Sequence, residues 1–242
     1  MSLNRLSAVA AVAAAALAGA ASADLVVGWT MPTAFPTGTG NVPTGTSYVP
    51  PMLAGEAAGT ADQGANRLLG SEIRSVHALA AATYTSPAGN GNQYSFSSNN
   101  WSPNDYYQIS FSASGYSSLS LSWDQARSST GPSPFKVVMS VNGGAFADVT
   151  TYTVLQSGGG GAPGTWNTTT YNSLYTNSVN LGAAADSAAS VVIRFVNTSS
   201  VVSTSGGSNR IDNILVNGTL VPAPGAAALV GLAGLIARRR RG

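Results

Sequence analysis

The feature that most restricts the fold is a series of short segments in which apolar and polar residues alternate. Leu119–Trp123 alternates strictly, and Tyr106–Phe111 and Phe135–Val141 follow the same pattern between turn-forming residues. Alternation with a period of two predicts a strand with one buried face. Asn142-Gly143 follows one of these segments and predicts a hairpin turn. No long segment has helical periodicity, so we predict an all-β, antiparallel, jelly-roll-like sandwich of roughly eight to ten short strands.

Other segments complete this outline. Further strands are predicted at Leu25–Trp29, Tyr94–Phe96, Tyr152–Leu155, Asn177–Leu181, Val191–Val196 and Ile211–Val216. The proline-spaced stretch from Pro32 to Pro51 predicts a loop. Ala61–Leu69 favours a short helix, and Gly158–Gly161 and Asn90-Gly-Asn92 are typical of flexible loops rather than phosphate sites.

Composition excludes several classes of function. The chain has no cysteine, which excludes disulfides, zinc-thiolate sites and a cysteine nucleophile. Five of the 11 basic residues lie in the two end segments, whereas all nine acidic residues lie between Asp24 and Asp212. Residues 24–220 therefore carry six basic and nine acidic residues, a formal net charge of −3. Such a domain offers no basic face for nucleic acid.

The first 23 residues have the layout of a secretory signal peptide. Arg5 precedes an apolar stretch that ends at Ala18, and Ala21 and Ala23 form an A-x-A cleavage site. We expect a signal helix and cleavage after Ala23. The alternative is an uncleaved membrane anchor, but the apolar stretch is shorter than the ~20 residues that a spanning helix needs.

Residues 221–242 form a second targeting segment. Val221, Pro222, Ala223 and Pro224 precede the apolar stretch Ala226–Ala237, and this stretch is followed by Arg238, Arg239, Arg240 and Arg241. The prolines favour extended backbone, and the arginines would keep their end of a short apolar helix in the cytoplasm. The alternative is a plain C-terminal anchor.

This three-part tail resembles the PEP-CTERM sorting signal, with Ala223 where the motif has glutamate. The resemblance implies recognition and cleavage by an exosortase-type membrane protease, with the inner membrane as a transient partner. It also implies localisation at the cell surface or in an exopolysaccharide matrix. Separately, Trp101–Gly218 resembles jelly-roll domains of the carbohydrate-binding type, on its Trp101–Tyr107 segment, its Ser129–Pro132 turn and its closing Asn209–Gly218 strand.

No catalytic constellation is evident, and we predict a protein that is not an enzyme. His77 is the only histidine and has no nucleophile elbow near it, so we expect it at the surface or a strand edge. A secreted hydrolase stays as an alternative, in which Glu56 and Glu72 would have to converge to within roughly 10 Å.

Asp124 and Asp212 are candidate calcium ligands, because Ca²⁺ prefers carboxylate and carbonyl oxygens. Asp212 interrupts an apolar strand. The alternative, which we expect, is a buried carboxylate paired with Arg210 or satisfied by loop N–H groups. No cofactor is otherwise predicted.

Sugars bind to exposed aromatic faces flanked by polar groups. Candidates for glycan contact are Trp101, Trp166, Tyr106, Tyr107 and Tyr171. The alternative is that these rings belong to the core, as the alternation around Trp123 predicts for that residue. The sequence therefore leaves two hypotheses for the domain: a structural surface or matrix protein, and a carbohydrate-binding module with specific glycan recognition.

Overall fold

The computed structural model describes residues 23–36, 42–200 and 207–222. The predicted signal helix, Ala21, the sorting helix, Ala223, Pro224 and the four terminal arginines lie outside these residues. In the described residues no helix is long and apolar enough to cross a membrane.

The described residues form β-strands joined by turns and loops, with no α-helix among them, which confirms the predicted all-β class. In chain order the strands are β1 (Ala23–Trp29), β2 (Ser47–Tyr48), β3 (Glu72–Val76), β4 (Tyr84–Thr85), β5 (Phe96–Ser98), β6 (Tyr106–Phe111), β7 (Tyr116–Arg127), β8 (Pro134–Val141), β9 (Ala147–Thr153), β10 (Leu155–Gln156), β11 (Thr176–Asn180), β12 (Val191–Asn197) and β13 (Asn209–Leu220). Single 3-10 turns occur at Gly159–Gly161, Ser173–Tyr175 and Ala183–Ala185.

The strands form two sheets. One has seven strands in the order β10-β7-β13-β5-β4, with β1 also paired to β13 and β11 also paired to β7. The other has six strands in the order β2-β3-β6-β12-β8-β9. All strand pairings among the described residues are antiparallel except that of β10 with β7, which is parallel and two residues long.

The core lies between the sheets and follows the predicted alternation. In β7, Leu119, Leu121 and Trp123 are buried and point inward. The Trp123 ring contacts Phe195 of the opposite sheet, with 5.1 Å between ring centroids. The core position predicted for Trp123 is thus confirmed. The β8–β9 hairpin is confirmed as well, because Asn142 and Gly143 both have positive φ, as the tight turn between twisted strands requires.

The helix predicted over Ala61–Leu69 is wrong. This segment forms turns along the edge of β1, where the backbone N–H groups of Ala65 and Asn66 donate to the carbonyls of Leu25 and Val26. Gly64 has φ +105°, a conformation outside the helical region. Backbone hydrogen bonds from this segment to strand β1 take the place of those that a helix would form.

Candidate functional site

A pair of buried aspartates lies on the outer face of the seven-stranded sheet. Asp124 of β7 is directly opposite Asp212 of β13 in the antiparallel register. Because Trp123 faces the core, the side chain of Asp124 points to the opposite face of the sheet. Both aspartates are nevertheless inaccessible to solvent, at 1% and 0% exposure. Other parts of the chain must therefore cover them.

A bulge in β13 shapes the site next to Asp212. The register of β13 against β7 shifts between Asp212 and Leu215, and Asn213 has φ +45°. The extra residue turns the Asn213 side chain toward the carboxylates, where its amide donates to Asp124 Oδ2 over 2.8 Å.

The loop Ala88–Asn92 covers the two carboxylates with hydrogen-bond donors. Asn90 donates its backbone N–H to Asp212 Oδ2 over 2.8 Å and its side-chain amide to Asp124 Oδ2 over 2.9 Å. Asn92 donates to Asp212 Oδ1 over 3.0 Å. Thr176 of β11 donates to Asp124 Oδ1 over 2.5 Å. The expectation that loop N–H groups satisfy Asp212 is confirmed, and the segment expected to be a flexible loop is a tightly bonded cover.

The expected pairing of Asp212 with Arg210 is wrong. Arg210 donates instead to Ser157 Oγ over 2.6 Å. Without a cationic partner, burial raises the pKa of Asp212 to about 7, although the hydrogen bonds from Asn92, Asn90 and Asn213 oppose the rise. Asp124 adds a smaller repulsive contribution in the same direction.

The geometry does not fit the calcium hypothesis for Asp124 and Asp212. Every carboxylate oxygen accepts a bond from an N–H or O–H group. The amide of Asn90 cannot be reversed without loss, because its oxygen accepts from the backbone N–H of Asn172 over 2.9 Å. A cation needs oxygens directed at one point, whereas here donors converge on the oxygens. The described part of the chain also holds no group of three acidic, histidine or cysteine residues suited to a metal.

A pocket opens beside this network. Its volume is about 320 Å³, and its walls include Asp124, Ser122, Thr176, Leu215 and Tyr171. The Tyr171 side chain is 56% exposed. Its hydroxyl bonds Thr176 Oγ1 over 2.6 Å, and since Thr176 gives its own proton to Asp124, the tyrosine is the donor. The pocket therefore presents a fixed aromatic ring next to apolar and polar groups.

Two of the predicted glycan contacts are wrong. Trp101 and Tyr107 are completely buried, because both rings pack in the core against Phe135 and Phe96 respectively. Tyr106 and Trp166 are partly exposed, but neither of them lines the Tyr171 pocket. The Tyr106 ring is covered by Arg194 at 4.3 Å, and the Trp166 indole donates to the carbonyl of Ala88 over 2.7 Å.

His77 is buried rather than at the surface or a strand edge, so that expectation is wrong. Its ring lies against Trp101, with 4.5 Å between centroids. Nε2 is 3.0 Å from Ser75 Oγ, and Nδ1 is 3.0 Å from Asp105 Oδ2, a distance for ion pairing without the alignment of a hydrogen bond. His77 contacts a serine through one ring nitrogen and an aspartate through the other, as in a hydrolase triad. Ser75 is 0% exposed, however, so no substrate can reach it.

The two glutamates of the hydrolase alternative are each held by an arginine. Glu56 bonds Arg67 at 2.7 Å, and Glu72 bonds Arg74 at 2.5 Å. Neither glutamate lines the Tyr171 pocket. They serve as partners of surface cations.

Sequence reasoning found Asp124, Asp212 and Tyr171 but missed the residues that organise them. The missed residues are Asn90, Asn92, Thr176 and Asn213. Two features of the sequence could have indicated them. Asparagines flank Gly91, which has a positive φ, and an Asp-Asn pair interrupts an apolar strand. Their partners are up to 123 residues away, which no local pattern could reveal.

Comparison with known proteins gives remote likenesses only. No protein-family model matches the chain, and no curated protein does. Among solved structures, the chain is similar to the CBM22-1–GH10 modules of a Clostridium thermocellum endo-1,4-beta-D-xylanase complexed with xylohexaose. The TM-score is 0.38 and the identity 16%, over 56% of this chain and 24% of that one.

Two other likenesses cover most of the matched chain. The K1 cleaved adhesin domain of Lys-gingipain from Porphyromonas gingivalis has a TM-score of 0.37 at 12% identity, over 56% of this chain and 82% of that one. A CBM35 from Cellvibrio japonicus has a TM-score of 0.34 at 19% identity, over 63% of this chain and 96% of that one. At these values the likenesses assign neither ligand nor activity to this chain.

Proposed function

We propose that this chain is an exported cell-surface or matrix protein whose jelly-roll-like sandwich binds a polysaccharide in the Tyr171 pocket. One observation carries the proposal: a half-exposed tyrosine ring is locked above a pocket that has polar and apolar walls. An aromatic face packs on the C–H face of a sugar, and nearby polar groups orient its hydroxyls.

The pocket has suitable groups for this role. Its volume of about 320 Å³ lies within the roughly 300–1,000 Å³ of small-molecule sites. The Ser122 hydroxyl makes no hydrogen bond to the described residues and is free to bond a sugar hydroxyl. Because Thr176 and Asn90 are held by Asp124, the walls are ordered before a ligand arrives, which lowers the entropic cost of binding.

Affinity electrophoresis of the full-length chain through gels containing different polysaccharides tests the proposal. Retardation by at least one polysaccharide is expected, and Tyr171→Ala should weaken it at least tenfold. Leu174→Ala is the matched control, because Leu174 is in the same loop and has the same 56% exposure. Unretarded migration of the wild type on every polysaccharide would favour a purely structural role. Equal effects of the two substitutions would remove the pocket from the proposal.

We propose further that residues 221–242 direct sorting by an exosortase-type protease at the inner membrane. Support comes from the tripartite sequence and from the position of the folded strands, which run from Ala23 to Leu220 and leave Pro222 outside the sheet. Intact-mass measurement of the surface-released protein should give a terminus near Pro224. Deletion of Arg238–Arg241 should leave the protein uncleaved or mislocalised. Release of full-length protein with the tail intact would contradict this.

A further inference from the structure

Arg210, like Arg127 and Arg194, has no carboxylate partner, but of these three only Arg210 lines one of the two pockets. Arg127 donates to three backbone carbonyls, and Arg194 donates to Gln108 and lies over the Tyr106 and Phe146 rings. Arg67, Arg74 and Lys136 each pair with an acidic side chain at 2.5–2.8 Å. All nine acidic residues of the chain are in the described part, and none lies within ion-pair distance of Arg210.

The surroundings hold the Arg210 guanidinium but do not neutralise it. Within the described residues its side chain makes one hydrogen bond, to Ser157 Oγ, and its plane lies 5.3 Å from the centre of the Trp166 ring. It is half-buried. A cation removed from water is stabilised by a partner of opposite charge, by hydrogen bonds to its donors or by an aromatic face, and Arg210 has one hydrogen bond and one aromatic face. Donors of the Arg210 guanidinium therefore remain for a ligand.

Arg210 lines a second pocket on the same face of the sheet. This pocket has a volume of about 290 Å³. Its other walls are mostly small polar residues, namely Thr83, Thr85, Pro87, Ser97, Ser98, Asn99 and Ser208. Hydroxyl and amide groups around a guanidinium are suited to a ligand that carries both hydroxyls and one anionic group.

We propose that the Arg210 pocket binds the anionic group, carboxylate or sulfate, of an acidic polysaccharide. The guanidinium fork would bond two oxygens of that group, and the surrounding Ser, Thr and Asn side chains would bond the sugar hydroxyls. The inference rests on the proposed glycan-binding function and adds to it a class of ligand.

The two pockets are placed to bind one chain of sugars. Arg210 and Asn213 are three residues apart on β13, a separation of about 10 Å, and Asn213 lines the Tyr171 pocket. Pro87 lines the Arg210 pocket and Asn90 lines the Tyr171 pocket, so a single loop forms a wall of both. A polysaccharide that packs on Tyr171 would thus bring a neighbouring sugar to Arg210.

The test compares polymers that differ only in charge. Polygalacturonate is compared with its methyl-esterified neutral form, and dextran sulfate with dextran, by affinity electrophoresis of the full-length chain. We expect the wild type to prefer a charged form at least tenfold. The pair that shows the preference identifies carboxylate or sulfate as the group. Arg210→Gln should abolish the preference, and Arg210→Lys should retain part of it.

Arg74→Gln is the matched control, because it removes the same charge from an exposed pair on the other sheet. Equal losses in Arg74→Gln and Arg210→Gln would overturn the proposal, since they would indicate only the net charge. No preference for either charged polymer would overturn it as well. Failure of Tyr171→Ala to reduce binding, with the Arg210 effect intact, would instead refute the Tyr171 pocket alone.

Discussion

Replacement of Asp212 by asparagine should change the way in which stability depends on pH. Burial raises the pKa of Asp212 from its ordinary 3.8 to about 7 in the folded protein. Between pH 3.8 and pH 7, Asp212 is therefore protonated in the folded state but ionised in the unfolded chain. The contribution of this proton to the free energy of unfolding is fully present below pH 3.8 and is lost as the pH rises toward 7. About 3 pKa units correspond to a loss of about 4 kcal/mol.

Asparagine removes this titration but introduces a cost of its own. Its NH₂ group must replace one carboxylate oxygen, and on the Oδ2 side it would face the N–H of Asn90. A lost bond with an unsatisfied buried donor costs about 2 kcal/mol. Asp212→Asn should therefore be less stable than wild type at pH 4 and more stable at pH 8, and the two curves should cross near about pH 5.

Urea denaturation at pH values from 4 to 8 measures both curves. The wild type should lose about 4 kcal/mol more than Asp212→Asn across this range. Asp148→Asn is the control, because Asp148 is in an exposed pair with Lys136 and should not produce a crossing. Parallel curves for wild type and Asp212→Asn would refute the argument that burial outweighs hydrogen bonding at this carboxylate.

Four further substitutions test the packing around the site and the core. Gly89→Ala should cost about 3 kcal/mol in thermal or urea unfolding, because an added Cβ would lie 1.5 Å from Asn92 Oδ1 and 2.5 Å from the carbonyl of Tyr94. Gly160→Ala is its control: an added Cβ at Gly160 would meet open space, so stability should change by less than about 0.5 kcal/mol. Asp105→Asn should cost about 2 kcal/mol, because its NH₂ group would face the backbone N–H of Ala78 or of Ser102, both of which donate to this buried carboxylate. Trp123→Ala should cost about 4 kcal/mol in urea unfolding by opening a cavity between the sheets. A loss below about 1 kcal/mol for either of the last two would contradict the assigned burial.

Much of the fold was predictable because strand alternation is a local signal. The segments 106–111 and 135–141 lie within β6 and β8, and the inward side of β7 follows from Leu119, Leu121 and Trp123. The same alternation places Asp124 on the outer face. Composition and periodicity determine these features without knowledge of distant partners.

The failures all depend on contacts between distant segments. His77 is polar and is predicted at the surface, but the ring of Trp101, 24 residues further along, packs against it in the core. Trp101 and Tyr107 were candidate ligand contacts, but the return of Phe96 and Phe135 to the same layer encloses them. In the site, Asn90 and Asp212 meet across 122 residues. Amide side chains carry no pattern that indicates their partners, so the cover over the carboxylates was not predictable.

Strand β13 joins the two ends of the molecule mechanically. Asp212 is near its start, and its last residues pair with the first residues of β1 through Ala23 and Thr219. About eight residues, or roughly 25 Å, separate Asp212 from the exit of the chain at Leu220. If a polysaccharide is bound near Asp212 and the chain is anchored beyond Leu220, a force between the two points acts along the axis of β13. Its ladder bonds to β7 and β1 are perpendicular to that force and would share the load in shear, so they must yield together rather than unzip one by one.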